Sequence, residues 1–203
     1  MLPNNAHAVV ILAAGNSIRL GQPKQFLTLQ GIPLVRHMTL IALMTKPARV
    51  VVVVGKLSEE IRYCLSDLAV DIVLNDHAHT GMASTLHAGA MALSRVDHKG
   101  PVLILGVDQP RLQIDHLKTM LNVARQYSDR SVVSQYADTI GMPVMISMAL
   151  FHETQSLSGD VGLKRILLQD SEHLISIDAP QLAFDIDTPE DLELAITAGW
   201  IDP

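Results

Sequence analysis

Cysteine, aromatic rings and cationic charge are all scarce in this chain, and each shortage excludes something. The single cysteine, Cys64, rules out an internal disulfide and suits a reducing compartment. Its setting, Ile61-Arg62-Tyr63-Cys64-Leu65, is amphipathic, so a buried, inert thiol is expected there rather than a nucleophile. Three Phe, three Tyr and one Trp cannot fill the interior of 203 residues, so the core must be aliphatic. With 15 Lys and Arg against 21 Asp and Glu, the chain lacks the excess of cations that a nucleic-acid backbone demands. A few local cations still suffice for a small phosphorylated ligand. Long apolar runs are missing too. Ala8–Ala14 is too short to span a membrane, no basic segment precedes it, and polar residues follow. A soluble, cytoplasmic protein with no membrane partner is the expectation.

Aliphatic residues are plentiful, and their pattern alternates between short β-branched runs and longer helical stretches. Strands are expected at Ala8–Leu12, Arg49–Val54, Asp71–Leu74, Pro101–Leu105, Ser131–Ser134 and Leu174–Ile177. Met142–Ile146 is a further strand, a candidate for running antiparallel to the rest. Helices are expected at Pro33–Met44, Ser58–Leu68 with Ser58 as N-cap, Met82–Leu93, Gln113–Tyr127 and Leu163–Leu168. A last helix, Pro189–Ala198, opens with Thr188 as N-cap and Pro189 at its first position. The continuous Val run at 50–54 marks a strand buried on both faces. This alternation predicts an α/β fold: a Rossmann-like three-layer sandwich, mostly parallel, with helices on both faces. No repeat or linker interrupts it, so one domain over residues 1–203 is expected. Ligands of such sheets sit at the carboxyl ends of strands, which selects the segments after Leu12, Leu74, Leu105 and Leu182.

After the first strand comes Leu12-Ala13-Ala14-Gly15-Asn16-Ser17-Ile18-Arg19-Leu20-Gly21-Gln22-Pro23-Lys24. Small residues let a ligand approach the backbone, and exposed N–H groups in such a loop can cradle phosphate oxygens. Arg19 adds a planar fork and Lys24 a point charge. That equipment can hold a triphosphate and stabilise charge on a departing pyrophosphate. It is neither a Walker A loop nor GxGxxG, because no glycine precedes Lys24 directly and no Ser or Thr follows it.

Carboxylates gather at two other strand ends. Gly106-Val107-Asp108-Gln109-Pro110 follows a buried strand, so Asp108 either holds a hard cation such as Mg²⁺ or caps its own turn. Near the other end of the chain lies Phe184-Asp185-Ile186-Asp187-Thr188-Pro189-Glu190-Asp191-Leu192. In an extended segment Asp185 and Asp187 face one side, suitable for completing a metal site with Asp108. Thr188, Glu190 and Asp191 serve the helix start. Gly81-Met82-Ala83-Ser84-Thr85 opens a helix with small hydroxyl residues that can meet an anion or a base edge. His77, His79 and His87 lack the pairing of a zinc site, and the first two are expected on the rim of the cleft.

The loop Leu12–Lys24 resembles the LAAGxSxRxGxxK signature of the nucleotidyltransferases related to molybdenum cofactor cytidylyl- and guanylyltransferases, of molybdopterin-guanine dinucleotide biosynthesis type. The resemblance continues in order through Gly31-Ile32-Pro33-Leu34, the 81–89 segment, Asp108-Gln109-Pro110, Gly141-Met142-Pro143-Val144, Gly159-Asp160-Val161-Gly162 and 185–192. It implies the nucleotide-diphospho-sugar transferase-like fold and transfer of CMP from CTP (or another NTP) to a small phosphorylated acceptor such as molybdopterin, releasing pyrophosphate. Leu12, Ala13, Ala14, Gly15, Ser17, Arg19, Gly21, Lys24 and Ser84 would bind nucleotide. Arg19, Lys24 and Asp108 would be catalytic. Asp108, Asp187 and Asp185 would hold Mg²⁺, the implied cofactor. Gly141, Pro143, Gly159, Asp160 and Lys164 would meet the acceptor, although Leu163-Lys164 stands where the family has Ala-Arg. The Ala13-Ala14-Gly15 form is the one associated with cytidine rather than guanosine, and a molybdoenzyme or chaperone would be a fitting protein partner. Pro23-Lys24-Gln25-Phe26-Leu27 also looks like methylerythritol phosphate cytidylyltransferase. The alternatives are therefore that activity, or a non-catalytic nucleotide-binding protein on the same fold.

Overall fold

In the computed structural model, residues 6–203 are described; the segment ahead of the first strand, read above as lacking basic residues, includes 1–5, which lie outside them. Nine strands form: β1 Ala8–Ala13, β2 Thr28–Leu29, β3 Ile32–Pro33, β4 Arg49–Val54, β5 Asp71–Leu74, β6 Val102–Leu105, β7 Ser131–Tyr136, β8 Thr139–Ile146 and β9 Leu174–Asp178. The α-helices are α1 Leu34–Met44, α2 Ser58–Cys64, α3 Met82–Arg95, α4 Ile114–Gln126, α5 Met148–Glu153, α6 Lys164–Gln169 and α7 Pro189–Thr197. The main sheet has seven strands in the order β5-β4-β1-β6-β8-β7-β9. Of the seven, β8 alone runs against the rest, antiparallel to both β6 and β7.

Alternation along the central strands sorts the core into two layers. Val9, Ile11 and Ala13 of β1 face α1, α2 and α4, where they meet Met38, Ile61 and Leu117. Ala8 and Val10 face α3, α5 and α6, where they meet Leu86, Phe151 and Ile166. Both faces of β1, β4 and β6 are covered, which explains their near-continuous Val, Ile and Leu. A third cluster, around Leu20, Leu34, Ile186 and Ala195, packs α7 against the β2–β3 hairpin. There the Trp200 ring meets Phe184 edge-on at 5.1 Å, with the Arg111 guanidinium 4.5 Å from its centroid.

Two expectations are corrected. Ser58 is the first helical residue of α2 and makes no side-chain cap; Leu57 holds the cap position. The same helix ends at Cys64 instead of Leu68. Arg36 explains the early stop: its guanidinium donates to the Cys64 carbonyl and forks onto the Asp67 carboxylate at 2.6 and 2.7 Å, holding the next residues in turns. The hairpin of β2 and β3 was not expected. Gln30 and Gly31, both at positive φ, form its two-residue turn, and their N–H groups donate to the Asp202 carboxylate.

The topology places the site. From β1 the chain moves outward to β4 and β5, then returns to β6 on the other side of β1. The loops after β1 and β6 therefore diverge at their carboxyl ends and leave a crevice between them.

Candidate active site

That crevice is a cleft of about 740 Å³, lined from the β1 loop by Ala14, Gly15, Ser17, Arg19 and Lys24 and from the β6 loop by Gly106 and Asp108. The β1 loop is shaped from beneath by Gln25, whose buried side chain donates to the carbonyls of Ala13 and Gly15 at 2.9 and 2.7 Å. Ser17 closes the other side: its hydroxyl accepts from the Lys24 N–H, and its carbonyl accepts from the N–H of Gly21, which sits at φ +77°. Gly55, after β4, lies so close that a Cβ there would stand 2.9 Å from the Ala14 carbonyl oxygen. Nothing stands within 4 Å of where a Cβ of Gly15 would be, so that backbone is open to a ligand.

Lys24 is the electrostatic centre. Its ammonium, with a side chain only 12% exposed, donates to Asp187 at 2.7 Å and to Asp108 at 3.1 Å. Burial alone would lower its pKa; the two carboxylates outweigh burial and raise it. Arg19, largely exposed, donates to the second oxygen of Asp187 at 2.7 Å. Hydrogen bonding from Lys24, with Arg19 adding to it, holds the Asp187 carboxyl below the usual carboxylate range. Asp187 is aimed by the start of α7: Thr188 and Asp191 form a reciprocal cap, and Asp191 also accepts from the Asp187 N–H. Between the two acids, Ile186 is fully buried and its N–H donates to the Asp108 carbonyl, so Asp185 and Asp187 both turn toward the cleft. Desolvation, and then the neighbouring Asp108 charge, push the Asp185 carboxyl up to about 7.

The expected metal trio is thus divided. Asp108 and Asp187 share one cation, while Asp185 lies toward Gln109 and Tyr136, and no three His, Cys, Asp or Glu side chains converge among the described residues. Two hard oxygen donors already gathered on a positive charge fit a divalent ion that keeps several waters and takes its remaining ligands from phosphates.

Ser84 is not on the cleft. Its hydroxyl lies 2.8 Å from the carbonyls of His77 and Gly81 and accepts from Asn75, while the next residue, Thr85, lines the wall. His79 is on the rim, as expected, and His77 is not among the lining residues. The 159–160 backbone packs on Gly81 because Gly81 has no side chain, a Cβ there standing 2.3 Å from the Gly159 carbonyl carbon, but Gly159 itself does not line the cleft. Asp160 lines the cleft. Gly141 and Lys164 line a smaller apolar cavity of about 190 Å³ beside it, which shares Leu12, Met82, Tyr136 and Met142 with the cleft. Lys164 also donates to Thr139. Pro143 is turned away, with its carbonyl accepting from the buried Ser134 hydroxyl. Sequence reasoning passed over Gln25, Gln109 and Tyr136. Gln109 donates to the Tyr136 hydroxyl, which donates to the Met142 carbonyl, and Gly141 leaves the room in which that hydroxyl sits. The only sequence signal was polarity in otherwise apolar surroundings.

With this geometry in place, comparison with known proteins is informative. The family model of the MobA-like NTP transferase domain matches residues 9–174. The purine catabolism protein PucB of Bacillus subtilis (strain 168) is 27% identical over 196 residues, spanning 91% of this chain and 93% of PucB. The crystal structure of an Rv0371c homolog from Mycobacterium sp. strain JC1 superposes with a TM-score of 0.78 at 30% identity, covering 95% of this chain and 96% of that one. Rv0371c of Mycobacterium tuberculosis H37Rv, solved in complex with manganese, shares the fold with a TM-score of 0.74 at 23% identity, over 96% and 100% of the two chains.

Proposed function

The chain belongs to the MobA-like NTP transferase family, and from that premise we propose that it acts as a single cytoplasmic domain that transfers CMP from CTP to a phosphorylated acceptor, molybdopterin, with release of pyrophosphate. The observation that supports this most directly is the Lys24 ammonium held between Asp108 and Asp187 at the mouth of an open, glycine-bearing loop.

Each group has a task in the proposal. Backbone N–H groups of Ala14, Gly15 and their neighbours receive the triphosphate, with Leu12, Ala13 and Gly21 shaping the loop. Triphosphate oxygens compete with Asp187 for Arg19 and Lys24, which then stabilise the charge that develops on the leaving pyrophosphate. Asp108 and Asp187, with Asp185 beside them, would hold Mg²⁺, which would supply charge neutralisation on the phosphates. Asp160, Gly159, Gly141 and Lys164 border the acceptor. An acceptor phosphate is already anionic near neutral pH, so attack on the α-phosphorus needs no general base. Thr85, on the wall, takes the base-facing role expected of Ser84.

A thermal-shift titration of CTP, GTP, ATP and UTP, each with and without Mg²⁺, tests the reading. A ligand that binds only the folded state at about 100 times its Kd stabilises by about 2.7 kcal/mol. The expected result is a CTP-selective, Mg²⁺-dependent rise in Tm, followed by pyrophosphate release when molybdopterin is added. No shift with any nucleotide would refute the phosphate-loop assignment.

A further inference from the structure

The end of the sheet remote from the cleft carries a second cavity, of about 530 Å³. It is formed by segments that lead into β1, β4, β6 and β7 and by the end of β8, so it shares no residue with the cleft. Four cations line it: Lys46 after α1, Lys99 before β6, Arg125 in the last turn of α4 and Arg130 before β7. Among the described residues no carboxylate lines it. Lys99 reaches Asp97 at 2.5 Å, but among the described residues Lys46, Arg125 and Arg130 take part in no ion pair. This concentration stands out in a chain with more acids than bases.

The interior of the cavity differs from its rim. Leu121, Met145, Ile146 and Met148 are buried and give it an apolar floor. His7 is buried in the wall, with its Nε2 2.9 Å from the Thr45 hydroxyl. That hydroxyl donates to the Ala42 carbonyl at 2.6 Å, which makes Nε2 the donor. Burial first, then the nearby Arg125 and His98, oppose its protonation. Like charges gathered with Asp97 as their one paired carboxylate among the described residues repel one another, and an anion placed among them relieves that repulsion. An apolar floor beneath a cationic rim favours a ligand with an uncharged body over a fully hydrated ion.

We propose that this cavity is a second ligand site, for a small dianion with an apolar body, such as an aryl phosphate or an aromatic dicarboxylate. It does not rest on the nucleotidyl-transfer reading, because none of its residues belongs to the cleft.

Calorimetric titration of the full chain with phenyl phosphate, with phthalate and with neutral benzyl alcohol tests it and separates the phosphate from the dicarboxylate class. At least one dianion is expected to bind at a ratio of about one to one, and benzyl alcohol is not. Arg125→Glu, on an exposed helix surface, should weaken the dianion by roughly tenfold or more. Lys24→Met, which disables the cleft, should leave its affinity within about twofold. Binding of neither dianion, equal binding of benzyl alcohol, or loss of binding in Lys24→Met would each overturn the proposal.

Discussion

Lys24 serves two carboxylates with one ammonium, and that sharing sets what each substitution should do. Lys24→Met leaves Asp108 without its cation and Asp187 with Arg19 alone, and in the proposed reaction it removes a donor to the departing pyrophosphate. Turnover should fall by about 10²–10³, the usual cost of one charge-stabilising donor, as read by pyrophosphate release. Asp108→Ala should lose most of its turnover while keeping the far-UV circular dichroism of the wild type; full activity with Mg²⁺ would refute its role. At the far end of the sheet His7, with its pKa lowered to about 4, makes a different prediction. Its folded value lies below the unfolded 6.5, so the stability tied to the neutral ring is present above pH 6.5 and is lost as pH falls toward 4. Denaturant unfolding across that range should show His7→Gln losing less stability than the wild type, by about 3 kcal/mol at the acid end.

At the scale of elements, the start of α7 bears on the site and the interior of α3 on the core. Thr188→Ala removes one arm of the reciprocal cap on α7 and should cost about 1 kcal/mol. Because the same cap aims Asp187, turnover should fall together with stability, a pairing that a purely structural cap would not give. In the middle of α3, Gly89 looks like an easy gain, since Ala is the better helix former by about 1 kcal/mol. The gain should not appear. A Cβ there would stand 2.8 Å from Val10 Cγ1, with Phe151 and Val53 closing the other sides. Overpacking of about 1–3 kcal/mol should outweigh the propensity, so thermal melts of Gly89→Ala should show a lowered Tm. The elements themselves were legible where period and punctuation agreed: β4 and β5 fall on the expected residues, and Thr188-Pro189 announced α7. Those that were missed or misjudged depend on distant partners. The stop of α2 is written in Arg36, and the 28–33 hairpin is clasped by Asp202, neither of which local periodicity can report.

Across the whole molecule, one sheet is shared by two apolar layers on opposite faces, with the third cluster attached through α7. Every central strand contributes to both layers, so the two faces should unfold together. Calorimetric and van't Hoff enthalpies are expected to agree, and a second resolved transition would show that the single-domain proposal fails. The α/β class and the position of a cleft at the strands' carboxyl ends followed from sequence because a buried parallel sheet forces both. The pairing of Arg19 and Lys24 with Asp187 did not follow: those partners are 168 and 163 residues apart, and only the closed fold brings them within 2.7 Å. Ser84 is the converse case, since a hydroxyl at a helix start can satisfy its own backbone as readily as a ligand.

Trp200 gives the molecule an optical probe of its own. It is the sole indole, its ring lies against Phe184 and beneath Arg111, and Phe184 immediately precedes the acids of the cleft. A ligand that draws Arg19 and Lys24 away from Asp187 changes the charge around the 185–187 segment, one aromatic contact from the indole. Occupancy of the cleft should therefore be readable as a change in tryptophan emission from the unlabelled protein, in real time and without a coupled assay.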